Sequence, residues 1–467
     1  MTTLVMKFGG ASVGTTTALS QMLGIVLHEA AQWDHVVLIV SALDGVTDAL
    51  IDAAHLAQFG NERGYRRIAA NLRARHLALA EGLALGKAEL AALQADLDKL
   101  LFDLLSAFQR ITQKNRDALS AENLDAAVSM GERLAALIVA VLLRQHGLRA
   151  VAIDAADIII TDANFGAATP NLALTQERID RDLRPMLERG ILPVLTGFIG
   201  ATPNRKPTTL GRGGSDYTAS IIAVGTKATE VWVWSDVDGI MSADPHEVND
   251  ARVIRELSYA EMAELAYFGA RILHARMVAP LRQNQIPLRV KNVYKPQLPG
   301  TVVHAKAASD NRIKSVTQIA GVSLAIDRSG PYGEIAKLID QHMQREIGTP
   351  SDVMIATQSA QRTFITCVVP PSAGPDAVSA LVDSLSHELN ATGQSMRWHV
   401  EQVSIVTAIG DGINSAPRLT AKLFAALGDI PILAASFGAG GCSLSLVVRQ
   451  AEGDTALREI HRVAISN

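Results

Sequence analysis

Leu4-Val-Met-Lys-Phe-Gly-Gly10 is a short apolar run that stops at a pair of glycines. A run of this length, bounded by a turn signal, has the pattern of a buried strand. Val36 to Val40, ending at Ser41-Ala42, repeats it, as do Ile191 to Thr196 and Glu230 to Trp234. Helical patterns separate the four, so the expectation is an α/β fold with a mostly parallel sheet. In open sheets of this kind ligands gather beyond the carboxyl ends of the strands, which directs attention to the residues that follow each run.

The rest of the chain fits a multidomain globular protein. Its 467 residues suggest about three domains, long enough that neither disulfides nor structural metals are needed for stability. Lys+Arg 43 against Asp+Glu 47 gives a net charge of -4, which argues against a basic nucleic-acid coat. Cys367 and Cys442 are too few for a disulfide scaffold or a cysteine-rich zinc site and read as buried small hydrophobes in a reducing cytosol. The longest membrane candidate, Leu134 to Leu143, has ten apolar residues before Arg144, against about 18 to 20 for a bilayer span. Met1 to Lys7 has no basic region ahead of a long apolar stretch, the pattern of a secretory signal. These features predict a cytoplasmic protein with neither a membrane nor a nucleic-acid partner.

Between Ala69 and Ile111, Leu90, Leu93, Leu97, Leu101, Leu104 and Phe108 recur at the spacing of one helix face. They predict a helical hairpin inserted at about 50–115. A small, polar linker, His304-Ala-Lys-Ala-Ala-Ser-Asp-Asn311, marks a boundary. Two similar units follow. One runs from Gly-Val-Ser-Leu-Ala-Ile326 through Asp327-Arg-Ser-Gly330 into a helix at Gly333 to Arg345 and a strand at Thr363 to Val369. The other runs from Ser-Ile-Val-Thr-Ala-Ile409 through Gly410-Asp-Gly412 into a helix at Arg418 to Leu427 and a strand at Cys442 to Val448. The pattern is a duplicated βαββ-type module. The division expected is 1–305, a linker at 306–315, and modules at 316–395 and 396–467.

Three stretches carry the chemistry. In Lys7-Phe-Gly-Gly10 a glycine pair lets backbone N–H groups approach an anion, and the lysine adds a point charge. It is not a Walker A loop, and alone it is a weak signal, since an exposed lysine before a turn gives the same pattern. Thr208-Thr-Leu-Gly-Arg-Gly-Gly-Ser-Asp-Tyr217 is more specific. Its glycines surround Arg212 and lead into a helix predicted from Tyr217 to Val224, so backbone N–H groups and a helix dipole face one point. Arg212 can grip a carboxylate bidentately. Asp216 would repel an anion, and makes sense if it orients a lysine, an ammonium or a metal-bound phosphate. Val231-Trp-Val-Trp-Ser-Asp-Val-Asp-Gly-Ile-Met-Ser-Ala-Asp-Pro245 is a strand that enters an acidic loop, suited to ribose hydroxyls or magnesium, or to plain solvated turns. Glu132 opens an otherwise apolar helix, either as a dipole-favoured first-turn acid or as an ammonium-binding carboxylate.

Together and in this order these segments resemble the aspartate kinases of the amino-acid kinase family, over nearly the whole chain. Lys7-Phe-Gly-Gly-Ala-Ser-Val13 resembles the first signature of that family. Gly197-Phe-Ile-Gly with Thr208 to Asp216 resembles the second, and Ser235-Asp-Val-Asp-Gly to Asp244-Pro245 the nucleotide loop. Phe268-Gly-Ala-Arg-Ile-Leu-His274, Ile286-Pro-Leu-Arg-Val290 and Pro299-Gly-Thr301 resemble the end of the catalytic domain. The resemblance implies a three-layer αβα kinase domain followed by tandem ACT-like modules, which in the family dimerise and bind amino-acid effectors. It implies phosphoryl transfer from ATP, with Mg2+ carried by the nucleotide, to the β-carboxylate of L-aspartate. Lys7, Asp216 and Arg212 would be catalytic. Ser41, Thr47, Glu132 and Arg212 would hold the amino acid. Lys7, Gly9, Gly10, Ser235, Asp236, Met241, Asp244, His246 and Arg271 would contact the nucleotide.

The sequence departs from the family pattern at Ala11, Met241, His246 and Arg271, where Thr, Tyr, Arg and Lys are usual. Ser443 stands where the effector loop of the second module usually carries Asn. A sibling kinase acting on an alcohol such as homoserine, with Asp216 as base, and a non-catalytic amino-acid sensor are the alternative readings.

Overall fold

The computed structural model describes residues 1–113, 119–268, 273, 275–305, 312–326, 332–347, 354–359, 361–369, 373–374, 376–391 and 398–466. By contact the chain divides into two units, Met1–Ile240 with Ile272–Ala305, and Met241–Arg271 with Lys306–Asn467. Residues 241–271, which the sequence reading left with the first domain, therefore group with the C-terminal one.

In chain order the first unit contains β1 (Thr3–Phe8), α1 (Gly10–Val13), α2 (Thr16–Ala30), β2 (His35–Val40), α3 (Val46–Gln58), α4 (Glu62–Glu81), α5 (Lys87–Gln113), α6 (Ala121–Val128) and α7 (Met130–Gln145). It continues with β3 (Ala150–Ile153), α8 (Leu172–Arg178), α9 (Arg184–Glu188), β4 (Leu192–Thr196), the hairpin β5 (Ile199–Ala201) and β6 (Pro207–Thr209), α10 (Gly214–Thr226) and β7 (Glu230–Ser235). The second unit contributes β8 (Glu256–Leu257) and α11 (Tyr259–Tyr267). The chain then returns for α12 (Ala275–Gln283), β9 (Leu288–Asn292) and β10 (Thr301–Val303).

The central sheet of this unit runs β3-β4-β2-β1-β7-β9-β10. Every pair is parallel except β9 with β10. Strand alternation sorts the side chains. Leu4, Met6, Phe8, Leu38, Val40, Trp232 and Trp234 pack in one cluster with Leu19 and Met22 of α2 and with Leu134, Ile138 and Leu142 of α7. α10 packs against β1, β2 and β7 outside that cluster, and α12 packs on α10. The result is three layers, helix, sheet and helix. Each buried aliphatic side chain contributes about 1.5–3 kcal/mol. α4 and α5 form the inserted hairpin: Leu93, Leu97, Leu101, Leu104 and Phe108 are buried, Leu90, Leu100 and Leu105 are half-buried, and Phe102 is exposed. α6 and α7 together, Ala121–Gln145, are long and apolar enough to cross a membrane by length and composition, a longer stretch than the sequence reading isolated, but most of it is buried inside this unit.

The second unit adds β11 (Ser315–Ile326), α13 (Tyr332–Glu346), β12 (Met354–Gln358), β13 (Thr363–Val368), α14 (Ala377–Ala391), β14 (Trp398–Ile409), α15 (Pro417–Ala426), β15 (Ala434–Phe437), β16 (Ser443–Arg449) and α16 (Gly453–Ser466). The order strand, helix, strand, strand, helix occurs twice. One antiparallel sheet, β12-β13-β11-β14-β16-β15, holds both copies. β11 and β14 pair from Ser315↔Ile409 to Ile326↔Trp398 without a break. Two cores lie against it, one around Leu324, Ile339, Ile365 and Leu381, the other around Val406, Leu423, Leu446 and Ile460. Cys367 and Cys442 are buried and free, as expected, and burial pushes the Cys367 thiol up to about 12. Most of the expected linker and the Asp327 to Gly330 turn lie outside the described residues.

Candidate active site

Lys7, the last residue but one of β1, lies between Ile39 of β2 and Val233 of β7. Lys7 Nζ lies 2.6 Å from Asp216 Oδ1, and both side chains are nearly buried. The contact is a close ion pair between an ammonium and a carboxylate. Burying two charges costs several kcal/mol of solvation, which their attraction repays only at close range.

Asp216 sits in the first turn of α10. The residue before that helix is Gly213 at φ 66, in the left-handed region that glycine enters freely, and no side chain caps the helix. Ser215, which an N-cap would have suited, lies inside the helix. The uncapped N-terminus, with its partial positive charge, therefore opens next to the Lys7–Asp216 pair. Arg212 is exposed on the loop just before it. A side chain at Gly214 would stand 2.6 Å from the Phe198 ring, so glycine is required there. Phe198 itself has φ 68, a costly conformation for an aromatic residue. It is held there by Thr218 Oγ1, which accepts from its N–H at 3.1 Å, and by Leu210, whose N–H donates to its carbonyl at 2.9 Å.

The 208–216 loop is anchored by groups that sequence reasoning did not single out. Asp125 of α6 is buried and accepts from Thr209 N (2.8 Å), Thr209 Oγ1 (2.8 Å) and Gly166 N (2.9 Å). Burial raises its carboxyl above the ordinary range although these bonds oppose the shift. An acid in the apolar run Asp125-Ala-Ala-Val128 was the available signal. Arg276 of α12 donates to Leu210 O at 2.6 Å and lies over the Tyr217 ring.

The β1–α1 and β2–α3 loops touch. A Cβ on Gly10 would stand 2.9 Å from Ala42 O and 3.1 Å from Asp44 N, whereas Gly9 faces Lys7 Nζ. Ser41 N donates to Phe8 O at 3.2 Å. Ser41 precedes this loop and Thr47 follows it, in the first turn of α3; both are half-buried. Glu132, in the first turn of α7, is buried beside it, and a Cβ on Gly131 would meet Ala42 Cβ at 2.8 Å. Burial pushes the Glu132 carboxyl up to about 8, opposed by a hydrogen bond from the Ala42 backbone. Glu132 Oε2 has no hydrogen-bond partner among the described residues. A buried carboxylate oxygen without a donor is where a cation would bind.

Ser235 Oγ donates to Asp236 Oδ1 at 3.0 Å just past β7. Asn292 Nδ2 donates to Asp236 O (3.1 Å) and Asp238 Oδ1 (2.6 Å), and Lys295 Nζ lies 2.9 Å from Asp238 Oδ2. Lys295 and then Asn292 hold the Asp238 carboxyl below its ordinary range. Asn292 and Lys295 were also missed, since a polar residue at a strand end carries no pattern of its own. Met241, Asp244 and His246 belong to the second unit, where His246 N donates to Asp244 Oδ1 at 2.9 Å. Arg271 lies outside the described residues. The structure thus gathers Lys7, Gly9, Gly10, Asp216 and the 41–47 loop with Glu132, and places the expected nucleotide residues on both units.

The comparisons with known proteins identify the family. Residues 2–292 match the model of the amino acid kinase family, and residues 406–463 match an ACT domain. The chain is 30% identical to aspartokinase 3, chloroplastic, of Arabidopsis thaliana over 98% of its own length and 81% of that protein. It is 28% identical to the bifunctional aspartokinase/homoserine dehydrogenase 2, chloroplastic, of the same plant, over 98% of the chain but 50% of the relative. The chain spans about half the length of such bifunctional relatives. A crystal structure of E. coli aspartokinase III in complex with aspartate and ADP superposes with a TM-score of 0.79 at 27% identity, covering 99% of both chains. With the family model spanning the whole Lys7-to-Asn292 site, this chain belongs to the amino acid kinase family and groups with its aspartokinases.

Proposed function

We propose that this protein is an aspartate kinase, transferring the γ-phosphoryl group of MgATP to the β-carboxylate of L-aspartate to give 4-phospho-L-aspartate, the first step toward the amino acids made from aspartate. The observation that carries the reading is the Lys7–Asp216 pair at the uncapped start of α10, with the unpartnered Glu132 carboxylate on the neighbouring loop. Phosphoryl transfer asks for positioning and charge neutralisation more than for covalent groups. Lys7 lies along the transferred group and offsets the charge that develops on it, and Asp216 keeps its ammonium in place. The α10 N-terminus adds backbone donors toward the same point. Arg212 clamps a carboxylate of the substrate, Glu132 takes the α-ammonium, and Ser41 and Thr47 border the bound amino acid. The acceptor carboxylate is already ionised at neutral pH, so no residue has to remove a proton. Asp216, committed to Lys7, is poorly placed to act as the base that a hydroxyl acceptor would need.

Ser235, Asp236, Met241, Asp244, His246 and Arg271 are assigned to the nucleotide, and Mg2+ arrives on its phosphates. Residues 1–305 are assigned to the kinase domain, with their 241–271 segment grouping by contact with the C-terminal unit, 306–315 to a linker, and 316–395 and 396–467 to two ACT-like modules that pair two copies of the chain and offer sites to an amino-acid effector. The test is to incubate the protein with MgATP and single amino acids and to trap with hydroxylamine. Aspartate should give a coloured hydroxamate. ADP release with homoserine and no hydroxamate with aspartate would assign the chain to a sibling kinase, and the absence of ADP release with every amino acid would make it a sensor.

A further inference from the structure

We infer that Arg75, on the inserted helix α4, is a positioning residue that holds the amino-acid loop between β2 and α3 against the phosphoryl cradle. The inference rests on the reading of the site as a kinase site for a small amino acid.

Arg75 Nη1 donates to the backbone carbonyl of Asp44 at 2.6 Å. That carbonyl lies in the middle of the loop whose neighbours have just been described. Ala42, two residues earlier, packs against Gly131 beside Glu132, where a Cβ would stand 2.8 Å from the Ala42 methyl group, and Ala42 O and Asp44 N crowd Gly10. Gly45, one residue later, is at φ 71 and turns the chain into α3 and Thr47. The loop therefore touches the cradle glycine and the ammonium-binding carboxylate on one side, and the insert on the other.

The insert is a firm support. α4 buries Tyr65, Leu72 and Leu79 in the main core of the unit. Arg73 grips Asp98 of α5 with two hydrogen bonds of 2.6 and 2.8 Å. At the far end, Gly82 lies so close to Thr16 of α2 that a Cβ would stand 2.6 Å from its methyl group. An arginine presented from such a helix has its reach fixed by the scaffold and not by the loop it contacts. Arg75 is exposed, and no carboxylate lies within ion-pair distance of it among the described residues. Its bond to Asp44 therefore contributes little to global stability. A charge-assisted bond to a loop carbonyl restricts the loop instead, and restricting a substrate loop lowers the entropy lost on binding.

The experiment compares Arg75→Ala, Arg75→Lys and the control Arg67→Ala, an exposed arginine on the same helix, in the full chain. With Arg75→Ala, KM for aspartate should rise about tenfold, while kcat and KM for MgATP stay within about twofold. Arg75→Lys, which keeps a charged donor, should recover most of that rise. Thermal midpoints of all three should match the wild type within about 2 °C. Hydrogen exchange of a peptide covering residues 41–47 should quicken about tenfold in Arg75→Ala and remain unchanged in Arg67→Ala. An unchanged exchange rate in that peptide, an unchanged KM for aspartate, or a rise in KM matched by a fall in midpoint and not rescued by lysine overturns the inference. If the wild type does not turn over aspartate, the proposed activity falls, and the exchange measurement alone still decides whether Arg75 holds the loop.

Discussion

Lys7 and Asp216 meet at 2.6 Å although one lies near the end of the first strand and the other in the first turn of a helix far along the chain. Each is nearly buried, so removing one leaves the other without its counter-charge. Lys7→Ala should lower kcat by about a thousandfold or more, since a preorganised charge at the reacting group is removed. The protein should still fold, with a loss of about 1–3 kcal/mol from the carboxylate left behind. Adding Asp216→Ala to that variant should recover part of this loss. A double mutant no more stable than Lys7→Ala in urea unfolding would show that the two charges are not coupled.

Glu132 gives the site a pH dependence of definite sign. Its folded-state pKa is about 8, above the ordinary value near 4.5. In the free protein it is mostly protonated at pH 6 and ionises as the pH approaches 8. An ammonium binds the ionised form, so aspartate affinity measured by calorimetry should improve about tenfold per unit from pH 6 and level off above about pH 8. Folding runs the other way. The unfolded chain releases this proton near pH 4.5 and the folded chain holds it, so stability falls as pH rises between the two values. Glu132→Gln should flatten both curves, and should be the more stable protein at pH 8 by up to about 3 kcal/mol. Parallel pH profiles for wild type and Glu132→Gln would remove the assigned role.

Asp125 never reaches the substrate side in the sequence pattern, yet three donors converge on it. Asp125→Ala strands those donors and should cost about 2–4 kcal/mol. It should also lower kcat/KM for aspartate, because the loop that carries Arg212 loses its anchor. Asp125→Asn keeps two acceptor positions and should cost less than half as much. Equal losses for the two variants would point to packing rather than hydrogen bonding.

In the second unit, Glu261 is fully buried in α11, pairs with Lys314 at 3.0 Å and accepts from Asp411 N at 2.8 Å. Lys314→Met leaves that carboxylate without its cation and should destabilise this unit by about 3 kcal/mol. Glu261→Gln in the same background should restore part of it. Denaturation followed by a probe in the C-terminal modules checks both.

The α/β pattern was readable because buried parallel strands are nearly continuous apolar runs, and β1, β2, β4 and β7 lie within one residue of their expected limits. The duplicated module was readable because strand, glycine turn and helix recur in order. The residues proposed for the cradle were suggested by the glycines beside Lys7 and Arg212. What joins them was not. Asp125, Arg75 and Arg276 act on backbone groups of distant loops, and a bond to a carbonyl leaves no trace in the identity of the residue that supplies it. The grouping of residues 241–271 with the C-terminal unit was equally hidden, since it depends on contacts such as Glu261–Lys314 between segments that share no periodicity.

The unbroken ladder from Ser315↔Ile409 to Ile326↔Trp398 makes the two C-terminal modules halves of one object. A chain severed between them would not yield two smaller folded proteins. Each piece would expose a twelve-residue strand with its N–H and C=O groups unpaired along one whole side, and such an edge recruits other chains. Any shortened form of this protein should therefore keep both modules or neither, and a fragment ending near residue 390 should be recovered as aggregate.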